Sequence, residues 1–112
     1  MTMRVYNLLT ETDWTAASAA GHTSSAVDLA DGYVHLSTSA QVRETARRYF
    51  SGEGRVKLLR FDPETLGDIR WEPSRGGDLF PHLYGPLMIA KAEAGWWLAP
   101  GTDGAPVFPE EY

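Results

Sequence analysis

The run Met3-Arg4-Val5-Tyr6-Asn7-Leu8-Leu9 centres β-branched and aromatic residues and predicts a first strand. Thr10 follows as a helix cap, and Glu11 and Asp13 put negative charge in the first turn, where the macrodipole favours it. A helix is therefore expected over Glu11–Ala20, burying Trp14 and alanines and stopping at Gly21. Thr23–Ala30 reads as a polar loop closed by the turn pair Asp31-Gly32. Tyr33–Ser37 predicts a second strand, whose alternation puts Tyr33, His35 and Ser37 on one face and Val34 and Leu36 on the other.

Thr38 to Gln41 matches a capping box, so a helix should start just after Thr38. Val42, Ala46, Tyr49 and Phe50 recur along it at helical spacing, with Arg43, Glu44, Arg47 and Arg48 mostly outward. Arg55–Asp62 is the clearest strand, and Ile69–Glu72 a shorter one after the turns at Pro63 and Gly67. From Pro73 to Pro86 neither period fits. Met88–Leu98 predicts a final strand with Trp96 and Trp97 on opposite faces, and Pro100–Tyr112 an extended, loose tail. The order implies an α+β fold: one compact domain of small mixed or antiparallel sheets with two helices, its core about residues 3–99.

Composition narrows the function classes. A chain of 112 residues fits one domain over its whole length. With no cysteine, disulfides and thiolate metal sites are excluded; a reducing compartment suits the chain, and cytoplasmic localisation is the expectation. Met1–Leu9 lacks the features of a secretory signal, and no apolar run reaches the roughly 20 residues a membrane span needs. The formal charge of −5 opposes general nucleic-acid binding. A local anion site is still allowed, because Arg43, Arg47 and Arg48 cluster, as do Arg70 and Arg75. His22 is expected at the surface, and His22, His35 and His82 lack the short spacing of a helical zinc site, so no metal is expected.

The segment from Trp71 to Gly85 concentrates ionisable, aromatic and backbone-special residues in one stretch. A long irregular loop in a small domain is functional or disordered, and its apolar content argues against disorder. Gly76 and Gly77 permit close backbone approach to a ligand. Arg75 offers a fork of donors for a carboxylate or phosphate, with Glu72 and Asp78 placed to orient it or to accept from sugar hydroxyls. His82 is a candidate acid or base near neutrality, and His35 with Ser37 and Thr38 a candidate polyol-binding edge. Structural roles compete: Arg75 could pair with Asp78, and both histidines could bond backbone carbonyls.

The blocks Val27-Asp28-Leu29-Ala30-Asp31-Gly32-Tyr33-Val34-His35-Leu36-Ser37-Thr38 and Arg70-Trp71-Glu72-Pro73-Ser74-Arg75-Gly76-Gly77-Asp78-Leu79-Phe80-Pro81-His82-Leu83-Tyr84-Gly85 resemble the bacterial DUF952 family, a domain of unknown function. The resemblance covers roughly residues 4–98. It implies an ADP-ribosyltransferase-like superfold, with two apposed small sheets pinching NAD between them. His35-Leu36-Ser37-Thr38 is similar to that superfold's ribose-binding motif, with Leu36 where many transferases carry glycine. The acid expected on a late strand would be Glu72 or Glu93, by position in the chain alone.

The expectation is therefore a small-molecule domain for an NAD- or ADP-ribose-like ligand, an enzyme if the acid is present. Glu72 and His82 are its candidate catalytic residues. His35, Ser37, Thr38, Trp71, Ser74, Arg75, Gly76, Gly77, Asp78 and Tyr84 are its candidate ligand contacts. The alternatives are a non-catalytic module for a carboxylate or phosphate metabolite, and a protein-interaction domain using Trp96, Trp97 and the tail.

Overall fold

A computed structural model describes residues 3–112, apart from the side chain of Arg75. Strand β1 (Val5–Thr10) runs straight into helix α1 (Glu11–Ala20). The Thr10 side chain accepts from Asp13 N, and Gly21 closes the helix at φ 86°, in the left-handed region glycine adopts without penalty. A third helix, α2 (Ala26–Asp31), forms in the stretch read as a loop. Ser25 caps it by accepting from Asp28 N, and Gly32 ends it. Its Val27 and Leu29 stay exposed, so no apolar stripe announced it.

The strand expected over Tyr33–Ser37 is broken at Leu36 into β2 (Val34–His35) and β3 (Ser37–Thr38), which join different sheets. Helix α3 (Ser39–Tyr49) begins where expected, with Gln41 Oε1 accepting from Thr38 N at 3.1 Å. Val42 and Ala46 are buried along it, but Tyr49 points out to solvent. Strands β4 (Val56–Phe61) and β5 (Ile69–Pro73) follow. The stretch read as irregular then resolves into a hairpin, in which β6 (Leu79–Leu83) returns antiparallel to β5 from Pro73↔Leu79 to Ile69↔Leu83. The last strand, β7 (Ala94–Leu98), is shorter than expected, because Ile89–Lys91 makes a 3-10 turn before it.

Pro81 lies mid-strand in β6, which hid that strand from a pattern reading. Bonds from Ser74 N to Asp78 O and from Tyr84 N to Asp68 O flank the β5–β6 ladder, so even-numbered β6 residues bond β5. The backbone edge of Pro81 therefore faces β2. There its carbonyl accepts from Leu36 N at 3.1 Å, and the chain leaves the sheet directly afterwards. The missing N–H falls at the end of a ladder instead of inside one.

The strands form a four-stranded sheet, β3-β1-β4-β7, and a three-stranded sheet, β2-β6-β5, with every pairing antiparallel. Alternation along β1 and β4 divides the core. Val5, Leu9, Leu59 and Phe61 pack toward the small sheet with Val34, Leu36 and Leu83, whereas Tyr6, Leu8, Val56 and Leu58 pack with Val42 and Ala46 of α3. The tail expected to be loose is fastened to that second face. Val107 N donates to Ala99 O at 2.9 Å, the Tyr112 ring meets Tyr6 edge-on at 5.6 Å, and Arg43 Nε donates to Tyr112 Oη at 3.0 Å.

Candidate functional site

Residues 34–38 belong to both sheets in turn. Even residues turn their backbone edge to β6, through the Leu36–Pro81 bond, and odd residues turn theirs to β1, through the pair Tyr6↔Ser37. The β1–β3 ladder stops at Tyr6, so the next partners in register, Leu8 and His35, are not paired. Two side chains take over instead. Asn7 Nδ2 donates to His35 O at 3.1 Å, and His35 N donates to Asp28 Oδ1 at 3.1 Å. Asn7 and Asp28 are buried polar residues for this reason: each replaces a strand partner at the split.

His35 is held at both ring nitrogens, Nδ1 by Asp28 Oδ1 at 2.6 Å and Nε2 by Asp31 Oδ2 at 2.9 Å. Two carboxylate partners require two N–H donors, which only the imidazolium has. The hydrogen bond to Asp28 accordingly raises the His35 pKa, burial opposes it, and Asp31 adds to the rise. Opposite it in register stands His82. The pair is of the non-hydrogen-bonded kind, in which side chains approach closely, and the ring centroids are 5.6 Å apart.

His82 is buried, with Nδ1 2.9 Å from Glu72 Oε1. The same oxygen accepts from Tyr84 Oη at 2.7 Å. These bonds, Tyr84 first and His82 second, lower the Glu72 pKa and keep it a carboxylate. With Nδ1 turned to that carboxylate, Nε2 is the ring's remaining polar atom. Tyr33 stacks on His82 at 4.1 Å and lies 4.7 Å from His35, so three rings form one block.

A cavity of about 530 Å³ opens at the split, with Asn7, Leu8, Asp28, His35, Ser37, Phe80 and His82 among its walls. Of the candidate residues, His35, Ser37, Ser74 and His82 line it. Glu72 and Tyr84 stand behind His82, bonded to it or to each other and off the cavity wall. Others belong elsewhere. Thr38 starts α3, and Trp71 lies on the opposite face of β5 from Glu72. Gly76 and Gly77 form the hairpin tip at φ 69° and 85°, with Asp78 exposed beside them. The side chain of Arg75 lies outside the described residues. Glu93 is engaged by Arg4 Nε at 2.6 Å and Arg60 Nε at 3.6 Å.

Among the described side chains of the two arginine clusters, three are paired with carboxylates. Arg47 and Arg48 bind Glu44, and Arg70 binds Asp68 while lying 4.2 Å over Tyr84. His22, expected at the surface, is half-buried and bonds Thr23 O through Nδ1 at 3.1 Å. Asn7, Asp28 and Asp31 are site residues that sequence reasoning missed. One signal was present: Ser25-x-x-Asp28 is a capping-box pattern that marks α2 and brings both aspartates toward His35. Among the described residues no three His, Asp or Glu side chains are grouped to hold a metal, and no helix is long and apolar enough to cross a membrane.

The fold and cavity define an α+β domain with two antiparallel sheets divided along one shared strand. Residues 8–94 match the family described as proteins of unknown function, DUF952, and the chain belongs to that family. It is similar to the crystal structure of protein CC0527 from Caulobacter crescentus, at 44% identity over 93% of each chain with a TM-score of 0.87. A solution NMR structure of CC0527 matches at 45% identity, over 95% of this chain and 92% of the other, with a TM-score of 0.80. No curated protein matches the chain.

Proposed function

We propose that the chain is a small-molecule binding domain whose cavity takes an NAD- or ADP-ribose-like ligand. The observation that carries this reading is the His35↔His82 pair on the cavity wall, each imidazole oriented at Nδ1 by a carboxylate. Such a pair sets two carboxylate-oriented imidazoles side by side; both His35 nitrogens are engaged by Asp28 and Asp31, so Nε2 of His82 is the ring nitrogen left to meet a ribose hydroxyl. The division into two sheets with a cavity at the division supports the ADP-ribosyltransferase-like reading of the fold.

For transfer chemistry, His82 is the group placed to exchange a proton with the ligand. Glu72 acts through it: its Oε1 already accepts from His82 and Tyr84, which makes it a positioning residue. The interaction-domain alternative loses support from the tryptophans. Trp97 packs on Trp14 and lies under Arg55, and Trp96 packs into the α3-side core.

Calorimetric titration with NAD and with ADP-ribose tests the proposal. Saturable heat is expected, weakened at least about tenfold, or roughly 1.4 kcal/mol, in His82→Ala. Absence of heat at millimolar ligand would remove the reading.

A further inference from the structure

We propose that the chain pairs with a second copy of itself along the open edge of β5, antiparallel and centred on Trp71.

Strand β5 ends the small sheet, with β6 on one side and no strand on the other among the described residues. Its even residues bond β6, so the backbone groups of Ile69, Trp71 and Pro73 turn to the open edge. Ile69 N donates to Gly67 O at 3.0 Å, and Pro73 has no N–H. Of the three, Trp71 offers that edge both a donor and an acceptor. An open strand edge is a template for another chain.

The side chains add an apolar face to it. Trp71, Pro73 and Leu79 lie on one side of the hairpin, set there by the pairs Trp71↔Pro81 and Pro73↔Leu79. All three are exposed, Trp71 at 41% and Leu79 at 52%. Apolar side chains grouped in this way at a surface mark a contact.

Charge decides what pairs there, and in which register. On the opposite face Arg70 and Glu72 flank Trp71. A two-fold axis through a Trp71↔Trp71 pair sets Arg70 of each copy opposite Glu72 of the other. These are non-hydrogen-bonded positions, where side chains come closest. Moving the axis by one residue sets Arg70 against Arg70 or Glu72 against Glu72, and like charges directly opposite repel. Each group keeps an end for the other copy. Arg70 holds Asp68 through Nε and Nη2, and Glu72 is bonded through Oε1 alone among the described residues. The backbone ladder is one rung long, so the association is weak, and a two-fold contact stops at two copies. In the pair, Arg70 of one copy meets the carboxylate that holds His82 of the other.

Sedimentation equilibrium on the full-length chain, from about 10 µM to about 1 mM, measures the association. A monomer–dimer equilibrium is expected, with no larger species. Over the same range the ¹⁵N spectrum should move the Trp71 amide with concentration and leave β7, an edge of the other sheet, in place. Arg70→Glu puts carboxylates opposite each other and is expected to weaken association at least about tenfold. Glu72→Lys opposes two cations with the same effect, and mixing the two variants should restore association as a heterodimer. Both variants stay net negative, so bulk charge attraction cannot mimic that recovery. Trp71→Ala, which leaves every charge in place, should weaken the pair as well. A monomer throughout overturns the proposal. So does association that R70E and W71A leave unchanged, shifts centred on α2 or β7 instead of Trp71, or folded charge variants that do not recover on mixing. No ligand enters the experiment, so its outcome is independent of the titrations with NAD and ADP-ribose.

Discussion

Asn7 reaches across the gap between the sheets to donate its Nδ2 to the carbonyl of His35 at 3.1 Å, standing in for the strand partner that Leu8 never becomes. This one amide lets the chain belong to two sheets without stranding a buried carbonyl. Asn7→Ala is therefore expected to destabilise the fold by about 1–3 kcal/mol, the cost of an unmet buried acceptor. Urea unfolding reads it as a lower midpoint at unchanged slope. A midpoint within error of the wild type would show that His35 O finds another partner.

The hold on α2 is electrostatic. Five of its six residues are exposed, Val27 and Leu29 among them, while Asp28 and Asp31 both bind the His35 ring. The groups facing that ring are Asp28 and Asp31 from α2, Tyr33 beside it and His82 from β6. The His35 pKa is raised above its ordinary 6.5, chiefly by the bond to Asp28. A raised folded pKa gives stability that is fully present below the unfolded value and lost as pH rises through the folded one. Protection of the Leu29 and Gly32 amides, corrected for intrinsic exchange, should therefore fall as pH climbs from about 6.5 upward. His35→Gln should flatten the dependence. Protection that rises with pH would contradict the sign.

Glu72 sets the opposite limb. Its pKa is lowered by Tyr84 and then His82, so its contribution is present above the ordinary value of 4.5 and lost as pH falls through the folded one. In Glu72→Gln this acid-side loss should disappear, leaving stability below pH 4.5 flatter than in the wild type. Chemical denaturation at a series of acid pH values measures it. Parallel acid limbs in the two proteins would assign the loss to other carboxylates.

Much of this architecture was legible where one local rule acted alone. Thr10 and Gly21 bound α1 as their chemistry dictates, and the Thr38–Gln41 box starts α3 at the expected residue. The misses share a cause, that a tertiary partner replaced a local signal. Pro81 stays in a central strand only because its blank edge faces the end of β2. Tyr33–Ser37 carries the alternation of one strand, yet nothing local says that His35 and Ser37 will serve different sheets. The site was half legible for the same reason. His35 and His82 stood out by type, whereas Asn7 is an ordinary polar residue in an apolar run until the split gives it work.

Gly32 separates conformational from contact effects at the site. It caps α2 at φ 82°, and an added Cβ would meet no heavy atom within 4 Å. Gly32→Ala therefore acts through backbone strain alone, about 1–2 kcal/mol for a side chain in the left-handed region. The strain falls on α2, whose last turn is closed by Gly32 N donating to Asp28 O at 2.9 Å, on the residue whose carboxylate holds His35. The expected result is faster exchange at residues 29 and 32, by roughly fivefold to thirtyfold at that cost, with β4 amides shifted less. If β4 and α2 amides accelerate together, α2 unfolds with the whole domain and is no separately held element.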